Sequence, residues 1–127
     1  MDLDQFKHIN DTLGHAAGDR LLTVVTSRLR KMIRPADLVA RLGSDEFLVL
    51  VSARHIVEHF QELAGRIAKS LSQPLRLHGR DARITPTLGV SLFPADGKDI
   101  ETLMNHADLA VYSAKDKGRK TMARGRS

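Results

Sequence analysis

Two short apolar runs, Leu38-Val39-Ala40-Arg41-Leu42 and Phe47-Leu48-Val49-Leu50-Val51, flank the tetrapeptide Gly43-Ser44-Asp45-Glu46. Apolar runs of this length, bounded by glycine and small polar residues, read as two strands joined by a tight turn. Gly-Ser at the centre predicts a two-residue type II′ turn, with Gly43 supplying the positive φ. The segments on either side of this hairpin carry helical periodicity. Leu21, Leu22, Val25, Leu29 and Met32 recur at spacings of three and four between Gly18 and Met32, which predicts an amphipathic helix that ends near Arg34-Pro35. A second amphipathic helix is expected from about Ile56 to Leu71, with Phe60, Leu63, Ala64, Ile67, Ala68 and Leu71 on one face and Pro74 beyond its end.

From Leu75 to Phe93 the pattern turns strand-like, with a polar turn around Gly79-Arg80-Asp81 and a long second arm carrying Ile84, Leu88, Val90 and Leu92. Pro86 within that arm predicts an edge position, a bulge or a break. After Pro94-Ala95-Asp96-Gly97, a third helix is traced by Ile100, Leu103, Met104, Ala107, Leu109, Ala110 and Ala114, with Gly118 as its C-cap. Lys120 to Ser127 shows no periodicity. The order of a very short opening strand, helix, hairpin, helix, strand and helix is an α+β pattern of the split βαβ kind, ferredoxin-like or palm-type, with helices packed on an antiparallel-containing sheet. In such sheets the first strand lies inside. Here it begins at Met1 and is expected to be truncated, and no final strand is evident after the third helix. Residues 1–119 therefore read as a partial domain and 120–127 as a basic tail or linker.

The chain has 127 residues, enough for one domain, and its 42% hydrophobic and 28% charged content is that of a globular protein. Its longest unbroken apolar run, Phe47–Val51, is far below the roughly 20 residues of a membrane-spanning helix. The absence of cysteine excludes disulfides, thiolate metal centres and cysteine nucleophiles. Met1-Asp2-Leu3-Asp4 has neither a basic nor an apolar leader region, so a soluble, cytoplasmic piece is expected, whether or not a longer parent protein is membrane-attached. The net charge of +5 and pI near 10.0 call for an anionic partner. The cations Lys115, Lys117, Arg119, Lys120, Arg124 and Arg126 crowd the end of the chain, whereas Asp2, Asp4, Asp11, Asp19, Asp45 and Glu46 lie in its first half. With 4% aromatic residues, no Trp and one Tyr, there is little to stack nucleic-acid bases. That leaves phosphates on a small ligand, or a plain solvated end.

Asp2 and Asp4 at a strand end, and Asp45-Glu46 at a hairpin turn, are acidic clusters on chain reversals. Like charges brought together need a cation or a neutral partner, and Mg²⁺ takes one or two carboxylates plus phosphate oxygens. Solvated turn acids meet the same spacing. Lys115 and Arg119, four apart, share a helix face and can reach one phosphate together, or simply complement a helix C-terminus. His15 and Asp19 are likewise a helix-start pair or ligand contacts.

Taken together, Asp2-Leu3-Asp4-Gln5-Phe6-Lys7-His8-Ile9-Asn10-Asp11, Gly14-His15, Gly18-Asp19, Arg41-Leu42-Gly43-Ser44-Asp45-Glu46-Phe47, Ala107-Asp108, Tyr112, Ala114-Lys115 and Gly118-Arg119 closely resemble the GGDEF family, the diguanylate cyclases. The resemblance implies condensation of two GTP molecules to cyclic di-GMP and pyrophosphate, each GTP held by one subunit of a transient homodimer. It implies Mg²⁺, or Mn²⁺, on Asp2, the Leu3 carbonyl and Asp45, with Glu46 as a second metal ligand or as the base near the attacking 3′-hydroxyl. Asn10 and Asp19 match positions that read the guanine edge, with His15 beside them; Phe6, Lys7, Lys115 and Arg119 match positions around the triphosphate, and Gly43 and Ser44 the nucleotide-facing turn. Arg34-Pro35-Ala36-Asp37 matches the family's inhibitory product site in type and offset, where Arg34 forks onto a phosphate or guanine of cyclic di-GMP and Asp37 accepts from guanine.

The resemblance also implies a fused sensor and, from the style of Gly79 to Ile100, an accompanying EAL domain in the parent. Ser44 replaces the signature's second glycine, whose missing side chain lets the backbone approach nucleotide. The expected consequence is slow turnover, or a silent domain that binds GTP or cyclic di-GMP as a regulatory module. With an interior strand mostly missing, the isolated 127-residue chain should be only marginally stable. Hydrogen exchange then finds Phe47–Val51 protected well below the global level; protection near that level contradicts the expectation.

Overall fold

The computed structural model describes residues 1–43, 45–52, 58–116 and 122–125, which fall into two compact units, Leu3–Pro86 and Met1–Asp2 with Thr87–Ser127. In chain order the elements are β1 (Asp2–Leu3), α1 (Phe6–Leu13), α2 (His15–Met32), β2 (Leu38–Arg41), β3 (Phe47–Leu50), α3 (Phe60–Leu71), β4 (Leu75–Leu77), β5 (Arg80–Ala82), β6 (Pro86–Val90), α4 (Ile100–Asp116) and β7 (Met122–Arg124).

The Leu3–Pro86 unit is built around α2. Its residues Ala17, Leu21, Val25 and Leu29, spaced by four, are fully covered, and Gly18 and Leu22 lie beside them. Against this stripe pack Phe6 and Ile9 of α1, Ala64, Ile67 and Leu71 of α3, and Leu75 and Leu77 of β4, all buried. The helix begins three residues before the periodic segment suggests, because Gly14 at φ +92° separates it from α1 while donating its N–H to the Asn10 carbonyl at 3.0 Å. The sequence pattern did not reveal α1, which spans only eight residues and buries only Phe6 and Ile9. Arg28 extends from α2 to the end of α3. Its guanidinium donates to the carbonyls of Ser70 (3.3 Å), Leu71 (3.4 Å), Gln73 (2.9 Å) and Pro74 (3.2 Å), satisfying acceptors that a helix C-terminus leaves without intrahelical partners.

The predicted hairpin forms, with Leu38 opposite Leu50 and Arg41 opposite Phe47. Its turn differs from the expectation. Leu42 donates to the Glu46 carbonyl at 2.9 Å and Gly43 does not adopt a positive φ, while Ser44 at the centre of the turn lies outside the described residues. Two further pairings carry the chain's start: Leu3 donates to the Asp45 carbonyl and Asp4 to the Thr85 carbonyl, each at 3.1 Å. The second turn lies one residue earlier than expected. Leu77 pairs with Arg80, leaving His78 (φ 50°) and Gly79 (φ 80°) as a two-residue loop with both φ angles positive, the type I′ geometry that suits the twist of a hairpin. Pro86 breaks the long arm as anticipated, opening β6 at a first-strand position where a missing N–H is tolerated. The expected start of the second helix at Ile56 and the Gly118 cap lie outside the described residues.

In the other unit the strand order is β1-β6-β7. The two-residue β1 lies next to β6 in this order, and its Leu3 also donates to the Asp45 carbonyl. The tail read as featureless contains β7, parallel to β6 with Leu88 opposite Met122 and Val90 opposite Arg124. Parallel strands need a crossover, and α4 supplies it. The helix sits directly on the strands: a Cβ on Gly89 would overlap the Ala107 carbonyl, and one on Gly125 the His106 carbonyl.

A buried carboxylate holds this βαβ unit. Asp96, with its side chain only 3% exposed, receives Arg124 through both Nε (2.8 Å) and Nη2 (3.0 Å) and also accepts the Leu92 N–H at 2.8 Å. Its main-chain carbonyl meets His106 Nδ1 on α4. Arg124 is thus a fastening of the fold, not part of a basic tail. Asp96→Ala strands the guanidinium and the Leu92 donor, and urea denaturation should show a loss of about 2–4 kcal/mol, at the lower end of the range for breaking a buried pair because Arg124 keeps some solvent contact.

Candidate functional site

The sequence-predicted residues collect at three places in the Leu3–Pro86 unit and, separately, at the Asp2–Lys115 pair of the other unit. At the α1–α2 corner, Asn10 is half-buried in the last turn of α1, and its amide lies so close over Gly18 that any Cβ there would overlap it. Asp19 follows Gly18 directly, and His15 stands one turn earlier on α2; both are exposed. Asn10 and Asp19 thus belong to one helix junction, an amide and a carboxylate of the kinds that can present acceptors and donors to a purine edge. Phe6 is buried in the core through its ring, whereas Lys7 is exposed; both sit in the first turn of α1, whose N–H groups lack intrahelical acceptors.

The second place is the hairpin tip. Asp45 is half-buried and its carbonyl is fixed by Leu3, while Glu46 is exposed with its carbonyl fixed by Leu42. Arg41 Nε donates to the Gly43 carbonyl at 2.8 Å, bracing the tip. A Cβ on Gly43 would meet only an ordinary contact, 3.8 Å from Glu46 Cβ. Ser44 and Arg119 lie outside the described residues. Asp2, on β1, pairs with Lys115 of α4: Nζ stands 3.0 Å from Oδ2, with side chains 40% and 23% exposed for lysine and aspartate. Lys115 and Asp2 were expected near phosphate and metal respectively, and here they neutralise each other.

Among the described residues no three carboxylate or imidazole groups stand close enough to cage a metal ion. Magnesium does not require such a cage, because it keeps several waters and substrate phosphates with only one or two protein carboxylates. The donors on offer, carboxylates and the Leu3 carbonyl, are all hard oxygens, and Asp2 already faces a cation. The residues fit the group.

The third place is the loop after α2. Asp37 accepts from the Arg34 N–H at 2.9 Å, from the Arg34 guanidinium at 3.4 Å and from the Ser52 N–H at 3.3 Å, while Arg34 also donates to the Ser52 carbonyl at 2.7 Å. The Asp37 side chain is only 2% exposed and the Arg34 side chain 49%. Arg34 thus presents a surface guanidinium whose backbone and side chain are braced by its own partner. An open groove of about 620 Å³ also runs along α2, lined by Asp19, Thr23, Thr26, Arg30, Lys31 and Arg41. Sequence reasoning did not assign Arg30, Lys31 or Arg41; the signal was their convergence from a helix and a strand, which only the fold supplies.

The Arg34 backbone N–H, followed by the Arg34 guanidinium and the Ser52 N–H, holds the Asp37 carboxyl below its ordinary pKa, outweighing the opposing effect of its cover. A depressed carboxylate contributes stability that is present above the unfolded-state value, about 4, and is lost as pH falls through the folded-state value. Asp37→Asn should accordingly be less stable than wild type at pH ~7, with the difference shrinking below pH ~4. Urea midpoints at several pH values check this, and an equal difference at both ends contradicts it.

The profile described as diguanylate cyclase, GGDEF domain, matches residues 1–121. The chain is 44% identical over 119 residues to the bifunctional diguanylate cyclase/cyclic di-GMP phosphodiesterase MucR of Pseudomonas aeruginosa, covering 94% of this chain and 17% of that protein. It is 43% identical over 120 residues to the cyclic di-GMP phosphodiesterase NbdA of the same organism, covering 94% of this chain and 15% of that protein. The crystal structure of the isolated GGDEF domain of TpbB, also called YfiN, from P. aeruginosa superimposes with a TM-score of 0.92 at 39% identity, covering 98% of this chain and 73% of that one. The chain thus spans less than a fifth of these two curated relatives. No described helix is long and apolar enough to cross a membrane. With a family match over nearly its whole length and a fold that superimposes on a solved member, the chain belongs to the GGDEF family of diguanylate cyclase domains.

Proposed function

We propose that this chain is a diguanylate cyclase domain that condenses two GTP molecules into cyclic di-GMP and two pyrophosphates within a transient homodimer. The observation that supports the proposal is the 3.1 Å bond from the Leu3 N–H to the Asp45 carbonyl, which fastens one of the assigned residues to the GSDEF hairpin tip within the Leu3–Pro86 unit. Asp2, the Leu3 carbonyl, Asp45 and Glu46 are assigned to Mg²⁺ or Mn²⁺. When bound, such cations activate the attacking 3′-hydroxyl and stabilise the departing pyrophosphate in an in-line displacement at the α-phosphate.

The chain's own residues bind and orient. Asn10 and Asp19 take the guanine edge, with His15 beside them. The first-turn N–H groups of Phe6 and Lys7 face phosphate, an arrangement that helix N-termini favour. Lys115 and Arg119 supply cations for the triphosphate, Gly43 and Ser44 form the nucleotide-facing turn, and Glu46 either holds a second cation or receives the hydroxyl proton. Asp45→Asn and Glu46→Gln should each lower cyclic di-GMP formation by about a hundredfold or more while leaving the circular dichroism spectrum unchanged.

Arg34 and Asp37 are assigned to product inhibition. The exposed Arg34 guanidinium makes the contact, and Asp37, already committed to the loop, orients it. Arg34→Ala should relieve inhibition by cyclic di-GMP and lose product binding in calorimetry; unchanged binding retires the assignment.

A second reading has its own support. Ser44 departs from the signature glycine, and NbdA, a close relative in sequence, is named for phosphodiesterase activity alone. On that reading the domain binds GTP or cyclic di-GMP and regulates an attached domain, such as an EAL domain or a sensor, without chemistry. Incubation with GTP and Mg²⁺, assayed for pyrophosphate and cyclic di-GMP, separates the two: product formation establishes the cyclase, and GTP binding without product establishes the module.

A further inference from the structure

The Lys115–Asp2 ion pair joins two groups that the proposed function sends to different ligands. Lys115 is assigned to the triphosphate and Asp2 to the metal, yet in the structure Nζ lies 3.0 Å from Oδ2. A carboxylate whose oxygen accepts a charge-assisted bond from an ammonium has one fewer lone-pair direction to offer a second cation, and two cations on one carboxylate repel. We infer that Lys115 is a positioning residue that acts as a placeholder cation on Asp2, so that a divalent cation enters as its nucleotide complex rather than alone. This inference rests on the cyclase-type metal and nucleotide site proposed above.

The exchange balances in charge. Before it, one carboxylate is neutralised by one ammonium. Afterwards the polyphosphate offers Lys115 more negative charge than Asp2 did, and Asp2 turns to the incoming divalent ion. Neither partner is desolvated at great cost, because both side chains keep partial exposure. Pairs of this kind contribute little stability and exchange easily. The helix geometry helps: Lys115 lies in the last turn of α4, on a long flexible side chain that reorients without moving the backbone. The lock also suppresses occupation by free metal, which brings no phosphate to draw the lysine away.

The test is Mn²⁺ binding to nucleotide-free protein, followed by the loss of the free-ion electron paramagnetic resonance signal. Lys115→Gln should bind Mn²⁺ roughly three- to tenfold more tightly than wild type, the range expected when a partly exposed cation is removed from beside a divalent site. Lys115→Arg, which keeps the charge, should stay near wild type. The double variant Asp2→Asn, Lys115→Gln should lose the gain, since the gain passes through the Asp2 carboxylate. Unchanged or weaker Mn²⁺ binding in Lys115→Gln overturns the inference, as does a gain that survives in the double variant. Circular dichroism of each variant shows that the fold is intact.

Failure of the underlying reading looks different. If wild type yields cyclic di-GMP from GTP while Lys115→Gln leaves Mn²⁺ affinity unchanged, only the placeholder role falls. If Asp2→Asn alters neither Mn²⁺ binding nor GTP-dependent Mn²⁺ binding, the metal site itself falls with it.

Discussion

One buried carboxylate organises the C-terminal half of this protein. Asp96 gathers the Arg124 guanidinium, the Leu92 N–H and, through its carbonyl, the His106 ring. It thereby connects the segment after β6, the turn into α4, α4 itself and the returning strand β7. A charged group this well covered is tolerated only when its acceptor positions are filled. The glycines at 89 and 125 complete the arrangement by letting the helix carbonyls of Ala107 and His106 rest on the strands without a Cβ between them. Through this assembly Lys115 is held at the end of a helix that packs on the sheet, within reach of Asp2.

The Leu3–Pro86 unit solves its packing differently, with an apolar stripe on α2 and a guanidinium that closes the end of α3. Charge is again deployed locally. Arg28 is spent on helix carbonyls, Arg34 on its own loop and Arg41 on the hairpin tip. The net charge of +5 therefore overstates what is available to a polyanion. Several cations that look like a general attraction for phosphate are structural. Others stay exposed on several elements, among them Lys7 on α1, Arg30 and Lys31 on α2, and Arg66 and Lys69 on α3.

The hairpin and the long helices were legible because their patterns are strong over many residues: four-residue spacing in Leu21, Val25 and Leu29, and continuous apolar strands on either side of Gly43. Two of the short elements were not. With two buried apolar residues α1 has too little periodicity to stand out, and β7 is a three-residue strand hidden in basic sequence. The turns were misplaced by a residue or so because glycine marks a turn but does not say which of its neighbours shares the positive φ, as His78 does here. The motif residues could be named from the sequence through their order and spacing, yet their partners could not.

The amino-acid sequence determined the family and the α+β class, and it named the residues proposed for nucleotide and metal, because those depend on residue types at recurring intervals along the chain. The tertiary structure alone decided that Asp2 is held by Lys115, that Asp37 is consumed in bracing Arg34, and that Arg124 is a core fastening rather than a tail cation. These pairings join residues as far as 113 positions apart, and a carboxylate's nearest cation is set by where helices and strands fold back on one another, a quantity that no local pattern encodes.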